Sequence, residues 1–139
     1  MELSRKTDFA IRIMRHLLSQ NGTPQSPPEI ATAIDVDYPY VKTICNQLHR
    51  AGFLAYAPDA VKFILTKPAD EINLYDLIAA IEGEICINEC LKEGHICEHG
   101  DAVECGVRPF LSNIQDALVK TLREQTLIGL VPADNSTDS

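Results

Sequence analysis

The chain has 139 residues, 45% hydrophobic and 23% charged. That is enough for one compact domain with an extension, too short for a large multidomain enzyme, and too apolar for a disordered chain. The net charge of −8 conceals an asymmetry: residues 1–67 carry eight Lys and Arg against six acids, residues 68–139 four against fourteen. This is the balance of a mildly basic binding module followed by an acidic regulatory extension.

The longest apolar runs, Leu54 to Ala57 and Leu77 to Ile81, fall far short of the roughly 20 residues of a membrane span. Arg5, Lys6, Asp8, Arg12 and Arg15 interrupt the first stretch at every turn, so it does not read as a signal segment and a cytoplasmic location is expected. Five cysteines in a reducing compartment then point to metal or redox chemistry rather than to disulfides.

From Lys6 to Gln20, Ala10, Ile13, Met14, Leu17 and Leu18 recur at intervals of three and four. They predict a first helix closed by Asn21-Gly22. Ser26, Pro27 and Glu29 are start signals for a short helix to Ile34. After a turn at Asp35-Val36-Asp37, residues Val41, Ile44, Cys45 and Leu48 keep helical spacing from Tyr38 to Arg50 until Gly52. Two short helices around a tight turn form a helix-turn-helix, whose second helix enters the major groove. Phe53 to Tyr56 and Phe63 to Thr66, around Pro58-Asp59-Ala60, predict the two strands of a wing closed by Lys67-Pro68. The expected fold is therefore mainly α with a small β wing (α+β), a winged helix-turn-helix.

Asn73 starts a further helix, with Leu74, Leu77, Ile78 and Ile81 on one face and Gly83 as its stop. The composition then changes. Between Glu84 and Gly106 lie Cys86, Cys90, Cys97 and Cys105 with two histidines and six acids, a loop organised around something other than a core. From Pro109 to about Leu127, Phe110, Leu111, Ile114, Ala117, Leu118, Thr121 and Leu122 make an apolar stripe too long for so small a domain to cover, so a partner chain is expected on this dimerisation helix. The division is 1–83 for DNA binding, 84–106 for a sensor loop, 107–127 for dimerisation and 128–139 for a flexible acidic tail.

Cys90, Cys97 and Cys105 are separated by six and seven residues. Structural zinc sites draw ligands from closer pairs, whereas iron-sulfur clusters tolerate wide thiolate spacing. The spacing favours a cluster; zinc and direct thiol redox chemistry remain open. A four-iron cluster needs a fourth ligand, and His95, His99, Cys86 or a carboxylate from elsewhere could supply it. His95 and His99 read better as ordinary loop residues or supporting donors, and Cys45 as core.

On the DNA side, Tyr38, Tyr40, Lys42, Thr43 and Gln47 take outward or N-terminal positions of the second helix, with His49 and Arg50 near its end. Lys42 and Arg50 suit phosphates; Thr43 and Gln47 suit base edges.

The opening Met1 to Arg12, Pro28 to Ala31, Tyr40-Val41-Lys42, Asn46 through Phe53, Glu71-Ile72 and Glu82-Gly83, in that order, resemble the Rrf2 family of bacterial winged-helix regulators. The resemblance spans roughly residues 1–127. It implies a homodimer that reads a palindromic promoter site in double-stranded DNA and holds one iron-sulfur cluster per subunit, 4Fe-4S or 2Fe-2S, on Cys90, Cys97 and Cys105. It also matches Asp8 to the position at which the nitric-oxide-sensing NsrR branch supplies a carboxylate across the dimer. The plainer reading of Asp8 is an ion pair with Arg12 one turn on. The wing departs from the family: Ala57-Pro58-Asp59-Ala60-Val61-Lys62-Phe63 lacks the usual arginine and glycines. Asp59 would face phosphate unfavourably there, and Lys62 would make the phosphate contact instead.

The expected function is a DNA-binding transcriptional regulator, a repressor, whose promoter binding answers to a cluster sensing nitric oxide, redox state or iron supply. The alternatives are a cluster-free thiol or zinc regulator of the same fold and an adaptor that has lost DNA. No glycine-rich phosphate loop, nucleophile elbow or paired His-Glu zinc helix suggests an enzyme.

Overall fold

The computed structural model describes residues 3–87 and 107–130. Helix α1 (Arg5–Ser19) is capped by Ser4, whose hydroxyl accepts from the Thr7 N–H at 3.2 Å. Its inward stripe is Thr7, Ala10, Ile13, Met14 and Leu17. Helix α2 (Pro27–Ile34) begins with a full capping box: the Ser26 hydroxyl accepts from the Glu29 N–H, and the Glu29 carboxylate accepts from the Ser26 N–H. These bonds hold the Glu29 carboxyl below its ordinary range, the Ser26 backbone contact most of all. Asp35 ends α2 in the left-handed conformation, φ 60°, and turns the chain into α3 (Tyr38–Arg50). Val41, Ile44, Cys45 and Leu48 bury one face of α3 completely. Together α1, α2 and α3 enclose most of the core.

Strands β1 (Leu54–Tyr56) and β2 (Phe63–Leu65) pair antiparallel, Leu54 opposite Leu65 and Tyr56 opposite Phe63. Gln25 extends this hairpin as a one-residue third strand. Its N–H donates to the Phe63 carbonyl at 3.1 Å, and the Phe63 N–H donates back at 2.8 Å. Phe63, 1% exposed, thus pins the wing to the start of α2.

Asp59 has a local role in the wing turn. Its Oδ1 accepts from the Val61 and Lys62 N–H groups at 2.9 and 3.0 Å, so the carboxylate closes the wing turn. Those two backbone bonds hold its carboxyl below the ordinary value of 3.8. Ala60 takes the left-handed backbone, φ 61°, that glycine would otherwise favour. Because the folded pKa is depressed, the contribution of Asp59 to the turn is complete above about pH 4 and is lost as pH falls through the lower folded value. Asp59→Ala is expected to speed amide exchange at Val61 and Lys62 at neutral pH while leaving α1 unchanged. Unaltered protection there would refute this assignment.

After a 3-10 turn at Ala69–Glu71, α4 (Leu74–Glu82) packs Leu77 and Ile78 inward. Its last residue reaches back to the chain start: Glu82 Oε2 accepts from the Thr7 hydroxyl and from the Ser4 N–H, both at 2.6 Å. The Thr7 contact, then that of Ser4, keeps the Glu82 carboxyl below its usual range.

Helix α5 (Val107–Glu124) packs on α4. It ends three residues before the predicted boundary, and Leu127–Leu130 forms a 3-10 turn that returns to the body. The Leu74 N–H donates to the Gln125 carbonyl at 2.9 Å and the Leu127 N–H to the Ile72 carbonyl at 2.8 Å. Leu127 is fully buried, so this tertiary docking, not helical periodicity, decides where α5 stops. Residues 128–130, predicted as the start of a flexible tail, belong to that turn. Among the described residues no helix is long and apolar enough to cross a membrane.

Candidate nucleic-acid interface and sensor segment

Helix α3 presents to solvent the face opposite Val41, Ile44, Cys45 and Leu48. Tyr38, Lys42 and Arg50 are exposed, and half-buried Asn46 stands between the last two. Positions 38, 42, 46 and 50 form one ridge at helical spacing of four. Thr43 is exposed beside it and donates its hydroxyl to the Pro39 carbonyl at 3.1 Å, leaving the oxygen lone pairs outward. The side chains on this face offer an aromatic ring, two cations, an amide and a hydroxyl, the set that pairs with phosphates and base edges. Asn46, not among the residues expected on the DNA face, lies on this ridge at a spacing of four from Lys42 and Arg50.

Two residues assigned to the DNA face are half-buried and also make contacts within the protein. The Tyr40 ring packs edge-on against Phe9 of α1, centroids 5.4 Å apart. Gln47 donates its amide to the Ala80 carbonyl of α4 at 3.4 Å, because α4 crosses that flank of α3. His49 is also half-buried: its Nδ1 lies 2.9 Å from the Leu54 carbonyl, and its ring sits 4.8 Å from that of Tyr56. It braces the wing against the end of α3. Lys62 stands 3.9 Å from Glu29, a long, solvent-screened pair that contributes little, so Lys62 can leave it for a phosphate at little cost.

On the sensor side, Asp8 is exposed, and its Oδ2 accepts from Arg12 Nε at 3.1 Å. The intrahelical pair is therefore present. Oδ1 has no hydrogen bond among the described residues. Cys90, Cys97 and Cys105, together with His95 and His99, lie outside the described residues. Cys86 is described: it is half-exposed, 3.4 Å from Glu84 Oε2.

Cys45 is fully buried in α3, and desolvation pushes its thiol pKa up to about 12. A neutral thiol is a poor nucleophile and a poor ligand. Native protein at neutral pH should therefore leave Cys45 unlabelled by iodoacetamide, with labelling only after unfolding in urea. Rapid native labelling, counted by mass spectrometry, would contradict this packing.

An outward polar ridge on the second helix of a helix-turn-helix, with a two-stranded wing beside it, defines a winged-helix protein of the DNA-binding class. Residues 3–133 match the family model of Rrf2, described as iron-dependent transcriptional regulators, and the chain belongs to that family. It is 31% identical over 133 residues to YffB of Lactococcus lactis, a candidate HTH-type transcriptional regulator, with 91% of this chain and 85% of that one aligned. Two solved structures share the fold. CymR, the global cysteine regulator of B. subtilis, has a TM-score of 0.78 at 24% identity over 99% of both chains. IscR of T. potens has a TM-score of 0.68 at 21% identity, covering 92% of this chain and 84% of that one.

Proposed function

We propose that this chain is a homodimeric repressor that reads a palindromic promoter site with α3 and adjusts its DNA affinity through an iron-sulfur cluster. Cys90, Cys97 and Cys105 would hold the cluster, with Asp8 of the partner subunit as fourth ligand. The observation that carries the DNA reading is the ridge of Tyr38, Lys42, Asn46 and Arg50, with Thr43 beside it. Support for iron comes from the three thiolates, the family's iron-dependent description and the exposed carboxylate of Asp8. A bound cluster would add a redox-active, nitric-oxide-reactive centre.

Dimerisation is supported by α5. Leu111, Leu118 and Leu122 are half-buried, while Val107, Phe110, Ile114, Ala117 and Thr121 remain exposed. The exposed five alternate at three and four residues, the spacing of a helix-to-helix seam. A partner on this stripe would fix the separation of the two α3 ridges.

The likeness to CymR favours a second reading, in which the same thiols sense redox state or sulfur supply without metal. Anaerobic purification separates the two. The cluster reading expects brown protein containing iron, colour lost in Cys97→Ala, and an altered spectrum and nitric oxide response in Asp8→Ala. Colourless, iron-free protein whose promoter affinity changes on thiol oxidation would establish the second reading.

A further inference from the structure

Where the second half of α1 meets the end of α2, the surface holds a cavity of about 370 Å³ lined by Arg12, Arg15, His16 and Ser19 of α1 and by Ala33 and Ile34 of α2. The four α1 positions are spaced so that they share one face of the helix. In a chain of net charge −8, two guanidinium groups and an imidazole line this hollow, with no carboxylate among its described lining residues. Arg12 gives Nε to Asp8 at 3.1 Å in an exposed contact, and a guanidinium has further N–H groups to offer. Arg15 has no ion pair among the described residues. The Ser19 hydroxyl donates to the His16 carbonyl at 2.6 Å, so the cations, not the hydroxyl, are the groups left for a ligand. Ala33 and Ile34 add an apolar wall from α2. The site also reaches the wing: His16 Nε2 lies 3.2 Å from Gln25 Oε1, and Gln25 exchanges both its backbone bonds with Phe63.

We propose that this cavity binds a small organic anion, an oxyanion group carrying a short apolar tail, and that its occupancy is felt at the wing through His16 and Gln25. A guanidinium fork with further cations beside it suits a carboxylate or a phosphate ester alike. The volume lies at the small end of ligand pockets, which keeps the tail short, and the tail rests against Ala33 and Ile34. Charge paired with an apolar wall separates this ligand from a DNA phosphate, which has no tail to bury. An anion seated on the two arginines also confines the His16 ring. A confined His16 holds the Gln25 side chain, and Gln25 is the residue that pins Phe63. The site stands without the iron centre; only its effect on promoter affinity rests on the DNA reading above.

The test titrates the full chain at constant ionic strength with isovalerate and with phenyl phosphate, each against its tail-less parent, acetate or inorganic phosphate, and with isoamyl alcohol as the uncharged control. Binding is read from the NMR shifts of Arg12, Arg15 and His16. At least one tailed anion should saturate them with an affinity about fivefold or more above its parent, from the apolar surface it buries; the pair that does so identifies the oxyanion. Arg15→Gln, a change at an exposed position, should weaken that binding by roughly tenfold, the loss of a charge-assisted fork. At saturation, amide exchange at Gln25 and Phe63 should slow by about threefold. Gln25→Met, outside the lining, should keep the binding and abolish the slowing. The site is overturned if no anion saturates the shifts by about 10 mM, if isoamyl alcohol binds as well, or if Arg15→Gln changes nothing. A parent anion binding as tightly as its tailed form in both pairs overturns the organic ligand, the outcome for a bare phosphate seat. Exchange at Phe63 unmoved by a saturating anion, or slowed equally in Gln25→Met, overturns the route to the wing. Absence of promoter binding with anion binding intact sinks the DNA reading and leaves the site.

Discussion

Titrated against its own promoter region, the protein is expected to lose roughly two orders of magnitude in affinity as salt rises from about 50 to 200 mM. Lys42 and Arg50 lie exposed on one ridge of α3, and the proposed dimer would engage two half-sites. The four phosphate contacts of these α3 cations alone, each releasing close to one counterion, give a log-log slope of about −3.6, which a Lys62 contact from each wing would steepen further. Lys42→Ala removes one contact per half-site, so the slope should become shallower by about 1.8 units for every operator sequence alike. Thr43→Val should behave differently. It deletes a hydroxyl that can face a base edge, and should weaken discrimination between operator and scrambled sequence while leaving the slope in place. Affinity that ignores salt would mean that the ridge does not meet phosphate, the outcome expected of an adaptor that has lost DNA.

The second large effect concerns the C-terminal return. Leu127→Ala should cost about 2–5 kcal/mol, the range for deleting a fully buried leucine side chain, and lower the melting temperature by on the order of 10 °C. Leu127 is completely buried in the main core, and its backbone is bonded to Ile72, so the cavity would open where α5 is anchored to the body. The adjacent Ile128 is 55% exposed, and Ile128→Ala should change stability by no more than about 0.5 kcal/mol. Similar losses at both positions would show that the return is not docked as described.

The helix-turn-helix and wing were legible because their signals are local. The inward stripes of α1 and α3 lie at helical spacing, Ser26 and Glu29 cap within one turn, and Asp35 turns the chain between α2 and α3. The role of Asp59 was equally local, since an aspartate bonding backbone N–H groups two and three residues on is ordinary turn chemistry, although the sequence reading weighed it only as a charge near phosphate. The outward residues of α3 were half legible. Periodicity separates core from surface, but it does not say which surface residues meet DNA and which meet a neighbouring helix. Tyr40 and Gln47 touch α1 and α4, contacts that periodicity does not reveal.

Short-range patterning alone thus sufficed for the elements, the buried stripes of the first three helices and the presence of a cysteine-rich segment, because each follows from residues within a few positions of one another. Packing was needed for the rest. Thr7 and Glu82 are 75 positions apart, and Gln115 is 30 from Ile85; such pairs carry no periodic signature. Whether a polar side chain finds a partner across such a distance depends on how helices cross, and only the folded chain brings α4, α5 and the first turn of α1 within hydrogen-bonding reach.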